Sequence, residues 1–197
     1  MSRTIACEDR DFVAWRGGAD HALIWGVLVD TDEVRAAVDS ARAHWADVLL
    51  PRYDRQPHVT VGYGGPVPKA GAAPEDPPYT PERIAAARAT IRGLGIEPFR
   101  LAIGGWGTFR MTPYLCVEAP ELDALADALG ENRRRPYVPH VTIGHYGVEV
   151  PLDEVAARAA AWCPPSIEPI TVTGVTLLRY DAADIAGPLT AVETVAF

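Results

Sequence analysis

Two short stretches of the chain are nearly identical: Pro57-His58-Val59-Thr60-Val61-Gly62 and Pro139-His140-Val141-Thr142-Ile143-Gly144. Each sets an imidazole two residues before a hydroxyl. With an ordinary pKa near 6.5, one imidazole can be neutral while the other is protonated, so a pair can act as general base and general acid in one turnover. A hydroxyl beside each can donate to a non-bridging phosphate oxygen. Those parts suit the opening of a cyclic phosphodiester by water. One group deprotonates the water, another protonates the departing oxygen, and donors hold the phosphate. A single H-V-T reads as a structural histidine on a core strand. Only five histidines occur in 197 residues, and it is the duplication that points to one site built from two halves.

Both motifs are β-branched and apolar around the polar pair, the pattern of a buried or half-buried strand. Side chains alternate along a strand, so His58 and Thr60 project to one side and His140 and Thr142 do the same. The two imidazoles are expected to face each other across a cleft. Each motif closes a longer repeat. In the first, a strand over 22–29 leads to Thr31 as a capping hydroxyl and an apolar stripe Val34, Ala37, Val38, Ala41, a helix reaching about Leu49. In the second, a strand over 114–118 leads through Pro120 and Glu121 to a helix carrying Leu122, Leu125, Ala126 and Leu129, stopped by Gly130.

Between the copies, residues 64–81 are rich in Gly and Pro and read as a surface loop. Thr80-Pro81-Glu82 opens a further helix. A strand over 99–103 precedes a Gly104-Gly105-Trp106-Gly107 turn. Residues 151–162 read as helix, and 167–180 and 189–197 as strands joined by a hairpin. The expected fold is α+β: a single domain over 1–197 made of two intertwined, pseudo-symmetric lobes, each an antiparallel sheet flanked by helices, with a central cleft.

Composition narrows the function. The chain is 48% hydrophobic, enough for a full core, with no apolar run of about eighteen residues to span a membrane. The first twenty residues lack the apolar stretch of a signal peptide. Cys7, Cys116 and Cys163 are odd in number and far apart, so a reducing cytoplasm is expected. A net charge of −8 argues against extended duplex binding and leaves a small nucleotide or a single RNA end in a locally basic pocket. Arg133-Arg134-Arg135 is the candidate basic patch. No metal is expected: His140 and His145 fall on opposite faces of a regular strand, and no carboxylate sits at ligand spacing.

The paired H-x-T motifs, each preceded by Pro, resemble the two-histidine (2H) phosphoesterase superfamily, above all its LigT-like branch of 2′-5′ RNA ligases and RNA 2′,3′-cyclic phosphodiesterases. The likeness extends to the first strand and helix, to Gly107-Thr108-Phe109 ahead of Tyr114-Leu115, and to the closing strands. The resemblance implies a cofactor-free, metal-independent enzyme in which His58 and His140 are the catalytic pair and Thr60 and Thr142 bind phosphate. It further implies that His58 protonates the leaving ribose oxygen and His140 activates water. Ligation is then only the reverse of cleavage.

The chain departs from the better-known pattern in its first strand, His21-Ala22-Leu23-Ile24-Trp25, and in its long Gly/Pro loop. Those differences bear on the substrate more than on the chemistry. Cleavage of a 2′-5′-linked or cyclic oligonucleotide, or of a cyclic ADP-ribose phosphate, is the alternative reaction. A non-catalytic module binding nucleotides or RNA ends is the alternative outside catalysis. Strict alternation also puts Tyr146 on the catalytic face and turns Tyr63 away. Trp25, Phe109 and Tyr114 are candidates to stack on a base, and Arg110 and Arg135 to assist on phosphate, although each also reads as ordinary core or surface. A monomer is expected.

Overall fold

Among the described residues the chain builds two four-stranded antiparallel sheets whose strand orders mirror each other. The computed structural model describes residues 2–8, 13–130, 136–184 and 186–197. In chain order its elements are α1 (Val13–Arg16), β1 (His21–Leu28), α2 (Asp32–His44), β2 (His58–Pro66), α3 (Pro81–Gly93), β3 (Phe99–Thr108), β4 (Pro113–Glu118), α4 (Pro120–Leu129), β5 (His140–Thr142), α5 (Leu152–Ala160), β6 (Ile170–Val172), β7 (Gly174–Asp181) and β8 (Thr190–Ala196). The first sheet runs β2-β1-β7-β8 and the second β5-β4-β3-β6. Each H-x-T strand is therefore the edge strand of its sheet, beside the strand that opens its half of the repeat. The edges β2 and β5 approach each other. The fold is α+β with pseudo-symmetric lobes, as the repeat predicts.

Local sequence explains most elements. Thr31 caps α2 by accepting from Val34 N, and Thr80 caps α3 by accepting from Arg83 N, with Pro81 in the first turn. The α2 stripe Val34, Ala37, Val38 and Ala41 is buried. On α4, Leu122, Leu125 and Ala126 are buried, and the helix packs on β2 and α3. β1, inside its sheet, is buried on both faces from Ala22 to Val27.

Four boundaries differ from expectation, each for a tertiary reason. Helix α2 stops at His44, because Trp45 turns into the core and stacks on Trp106 at 4.9 Å. The following turn brings Leu49 to a bridge with Tyr146. The Gly104–Gly107 segment is not a turn: β3 runs on to Thr108 with a bulge, and Gly105 absorbs the extra residue at φ +69°. The strand expected over 167–180 is two strands, β6 completing the second sheet and β7 the first, so the chain crosses between lobes at Thr173. β5 is only three residues long, and this has consequences for the site. All three cysteines are free thiols. Among the described residues no helix is long and apolar enough to cross a membrane.

Candidate active site

His58, Thr60, His140 and Thr142 line one cavity of about 280 Å³ between the two edge strands. The remaining walls are Tyr53, Arg55, Phe109, Thr112, His145 and Tyr180. The two imidazoles are anchored in the same way. His58 Nδ1 lies 2.8 Å from the Gln56 carbonyl and His140 Nδ1 2.7 Å from the Val138 carbonyl. A carbonyl only accepts, so each Nδ1–H donates and each Nε2 is left to titrate. The anchor is local, two residues back along the chain, and so repeats wherever the motif repeats.

The surroundings of the two rings are not alike. His58 is buried at 8% exposure beside Gly26 of β1. Burial pushes its pKa down to about 4; the Gln56 carbonyl opposes that fall, while the positive charge of Arg55 adds to it. His140 is half-buried, and burial lowers its pKa too. Its ring meets aromatics, Phe109 edge-on at 5.0 Å and Tyr114 tilted at 5.2 Å. Tyr114 reaches that position by lying across Gly107, its partner on β3, where any Cβ would collide with the phenol ring. With both imidazoles lowered, the free protein at neutral pH holds two neutral histidines; a bound phosphate anion would favour an imidazolium.

The wall nearest His58 comes from the loop over 51–57, which sequence reasoning missed. That loop is pinned to the turn between β7 and β8. Arg52 pairs with Asp184 at 2.6 Å, Asp54 N donates to Ala186 O, and the Gln56 amide both donates to Leu189 O and accepts from Leu189 N. So held, Arg55 lays its guanidinium 4.2 Å over the Tyr180 ring, with a buried Nε that has no partner among the described residues. Tyr53 shares a hydrogen bond with Thr142, and burial raises its pKa, so it stays a phenol. The only sequence signal for this wall is an Arg three residues before the histidine.

The other sequence candidates separate. Phe109 lines the cavity and Tyr114 supports His140. Tyr146 does not reach it. β5 ends at Thr142, alternation ends with it, and Tyr146 is fully buried with its hydroxyl 2.9 Å from Thr108 Oγ1. The same break swings His145 into the cavity, edge-on to Tyr53 at 5.5 Å, where a regular strand would have turned it away. Trp25 is core at 1% exposure, its indole donating to Tyr79 Oη. Arg110 is spent on the N-terminal segment, donating to Arg3 O. Arg133, Arg134 and Arg135 lie outside the described residues. Among the described residues no group of three His, Cys, Asp or Glu could hold a metal ion.

No curated protein matches the chain. Solved structures do. LigT of E. coli in its apo form is 20% identical over 91% of this chain and 98% of that one, with a TM-score of 0.59. TT0787 of Thermus thermophilus is 20% identical over 89% and 97%, with a TM-score of 0.58. E. coli LigT has also been solved with 3′-AMP, at 19% identity over 90% and 98% and a TM-score of 0.55. These likenesses concern the fold. The model of the 2′-5′ RNA ligase superfamily matches residues 30–184, a span that holds both H-x-T motifs and most of the chain. The chain belongs to the 2′-5′ RNA ligase superfamily.

Proposed function

We propose that this protein hydrolyses the 2′,3′-cyclic phosphate of a nucleotide or RNA end by metal-independent acid–base catalysis. The observation that carries the reading is the shared cavity. Two imidazoles with Nδ1 held by backbone face it beside two threonine hydroxyls. In the reaction His140 Nε2 takes a proton from water, the water oxygen bonds to phosphorus, and the bond to one ribose oxygen breaks. His58 gives that oxygen its proton, leaving a phosphomonoester. Thr60, Thr142 and Arg55 hold the non-bridging oxygens, where charge gathers as the fifth bond forms. Burial holds the His58 pKa low in the free protein, so its role as acid needs the negative charge of the bound phosphate to draw a proton onto the ring.

Nucleotide binding by a family relative, LigT with 3′-AMP, ATP and NADP+, supports a nucleotide substrate. The net charge of −8 favours a mononucleotide, a short end or a cyclic oligonucleotide over long RNA. A cytoplasmic setting belongs to the same reading and fits the free thiols. The test is a panel of 2′,3′-cyclic mononucleotides, 2′-5′ dinucleotides and cyclic-ended RNA, assayed with EDTA. Turnover of the cyclic ends in chelator is expected. Activity lost in EDTA and restored by zinc or manganese would indicate a metallophosphoesterase. Binding without turnover of any substrate would leave a nucleotide-binding module.

A further inference from the structure

Several arginines of this chain are tied down by a carboxylate: Arg35 by Asp30, Arg52 by Asp184, Arg88 by Glu193 and Arg158 by Asp47. Arg55 is held differently. Among the described residues no carboxylate pairs with it, and its guanidinium lies 4.2 Å over the ring of Tyr180, another wall of the same cavity. A ring beneath the guanidinium plane steadies the cation without neutralising it, and leaves N–H donors at the edge for an anion. Tyr180 in turn packs against Trp15, the two rings lying parallel within 3° at 6.5 Å. We propose that Tyr180 and Trp15 are positioning residues, a pair of rings that aims Arg55 at the phosphate. The inference rests on the phosphate-holding role given to Arg55 above.

The pair also gives the N-terminal segment and the long Gly/Pro loop a use. Trp15 lies on α1, outside the duplicated strand-helix plan, and the loop fastens it in place. Its indole N–H is shared between Asp76 Oδ2 at 2.9 Å and Tyr63 Oη at 3.1 Å. Tyr63 Oη donates to the same Asp76 oxygen at 2.9 Å. Backbone bonds lace the two segments together, Ala73 N donating to Gly17 O at 2.7 Å and Glu75 N to Trp15 O at 3.1 Å. Gly17, at φ +49°, permits that approach, since a Cβ there would collide with the Ala73 carbonyl. Beside them Lys69 pairs with Asp20 at 2.6 Å. Trp15 also packs on the small apolar cluster that holds Tyr180, formed with Ala22, Ile24, Leu178 and Leu189. An indole fixed at its polar edge and along its backbone has little freedom left to lose, so it can hold the next ring.

The test measures inorganic phosphate affinity of the full chain, together with the His58 pKa followed by NMR in the free protein. Removing a cation–π contact changes an equilibrium by roughly 2- to 30-fold. Tyr180→Leu should weaken phosphate by a factor in that range and Trp15→Leu by less. Tyr180→Phe, which keeps the ring, should retain most of the affinity. In an Arg55→Met background Tyr180→Leu should cost nothing further, because the side chain it positions is gone. Tyr180→Leu should also raise the His58 pKa in the wild-type background and leave it unchanged in Arg55→Met, whereas a general loosening of the cleft would raise it in both. Phosphate affinity unchanged by Tyr180→Leu overturns the proposal, and so does a loss of equal size in both backgrounds. A loss as large in Tyr180→Phe assigns the effect to the hydroxyl and overturns the role of the ring. Wild-type affinity in Trp15→Leu removes Trp15 from the pair. Turnover of 2′,3′-cyclic nucleotides by the wild type tests the parent reading separately. A wild type that turns them over while Tyr180→Leu binds phosphate normally overturns the positioning role alone.

Discussion

The strands β2 and β5 carry the same motif in two settings. β2 is nine residues long and its histidine is buried beside Gly26 of β1, under the positive charge of Arg55. β5 is three residues long and its histidine sits half-open against Phe109 and Tyr114. Both rings are held by the same backbone anchor and both are lowered first by burial, but His58 alone also feels the positive charge of Arg55. Near-identical hexapeptides therefore do not make equivalent imidazoles. Local sequence aims the imidazole, and the surrounding lobe sets when it takes a proton.

Removing either ring is the hardest test of that division of labour. His58→Ala and His140→Ala should each lower kcat/KM for a 2′,3′-cyclic nucleotide by about 10²–10⁴-fold. The double variant should be little worse than either single one, because the pair acts as a unit. Near-normal turnover after losing one ring would end the two-histidine mechanism.

Arg55→Met comes next in size. Losing charged hydrogen bonds should weaken inorganic phosphate and substrate by about 10- to 100-fold. It should also raise the pKa of His58, since the guanidinium is one of the influences holding it down. Unchanged phosphate affinity would remove Arg55 from the site. For the wild type, kcat/KM against pH should be bell-shaped with its optimum below about 6.5, because both rings of the free protein titrate low. The kcat optimum should lie higher once phosphate is bound; coincident profiles would contradict substrate-assisted protonation.

Stability separates the two halves more gently. His58 is lowered to about 4 in the folded state, so between about 6.5 and 4 the unfolded chain binds the extra proton. Its contribution is present above the unfolded value and is lost as the pH falls through that window, by up to about 3 kcal/mol. Denaturant melts of His58→Asn should show a flatter fall than the wild type, with the remaining slope belonging in part to His140. Equal slopes would place the titration elsewhere. On the other lobe, Gly107→Ala should cost about 1–3 kcal/mol by driving a methyl into the Tyr114 ring. It should also shift the His140 limb of the pH profile. The smallest effect is expected for Tyr146→Phe. Deleting its bond to Thr108 should cost roughly 1 kcal/mol in a melt and leave kcat unchanged. A large loss of activity there would reopen a catalytic role for Tyr146.

The readable part of the molecule is its local part. The H-x-T strands, the Thr31 and Thr80 caps, the α2 and α4 stripes and the doubled strand-helix plan follow from spacing and side-chain chemistry within a few residues. The Nδ1 anchors belong to the same class, since their partner is two residues away in either copy. Extrapolation along the chain is what fails. Alternation assigns faces to Tyr146 and His145, but β5 stops at Thr142, after which Tyr146 pairs with Leu49 and His145 turns inward.

Sequence alone thus determined that two imidazole–hydroxyl pairs would be carried on matching strands of a duplicated α+β unit. Tertiary structure decided what they face. Tyr53 and Arg55 reach the cavity because Arg52, Asp54 and Gln56 bind the turn near residues 184–189, more than a hundred positions away. Tyr180 reaches it because the chain returns to the first sheet after building the second. Burial and charge then set the two histidines apart. Both depend on which distant groups exclude water around each ring, and no local pattern encodes that.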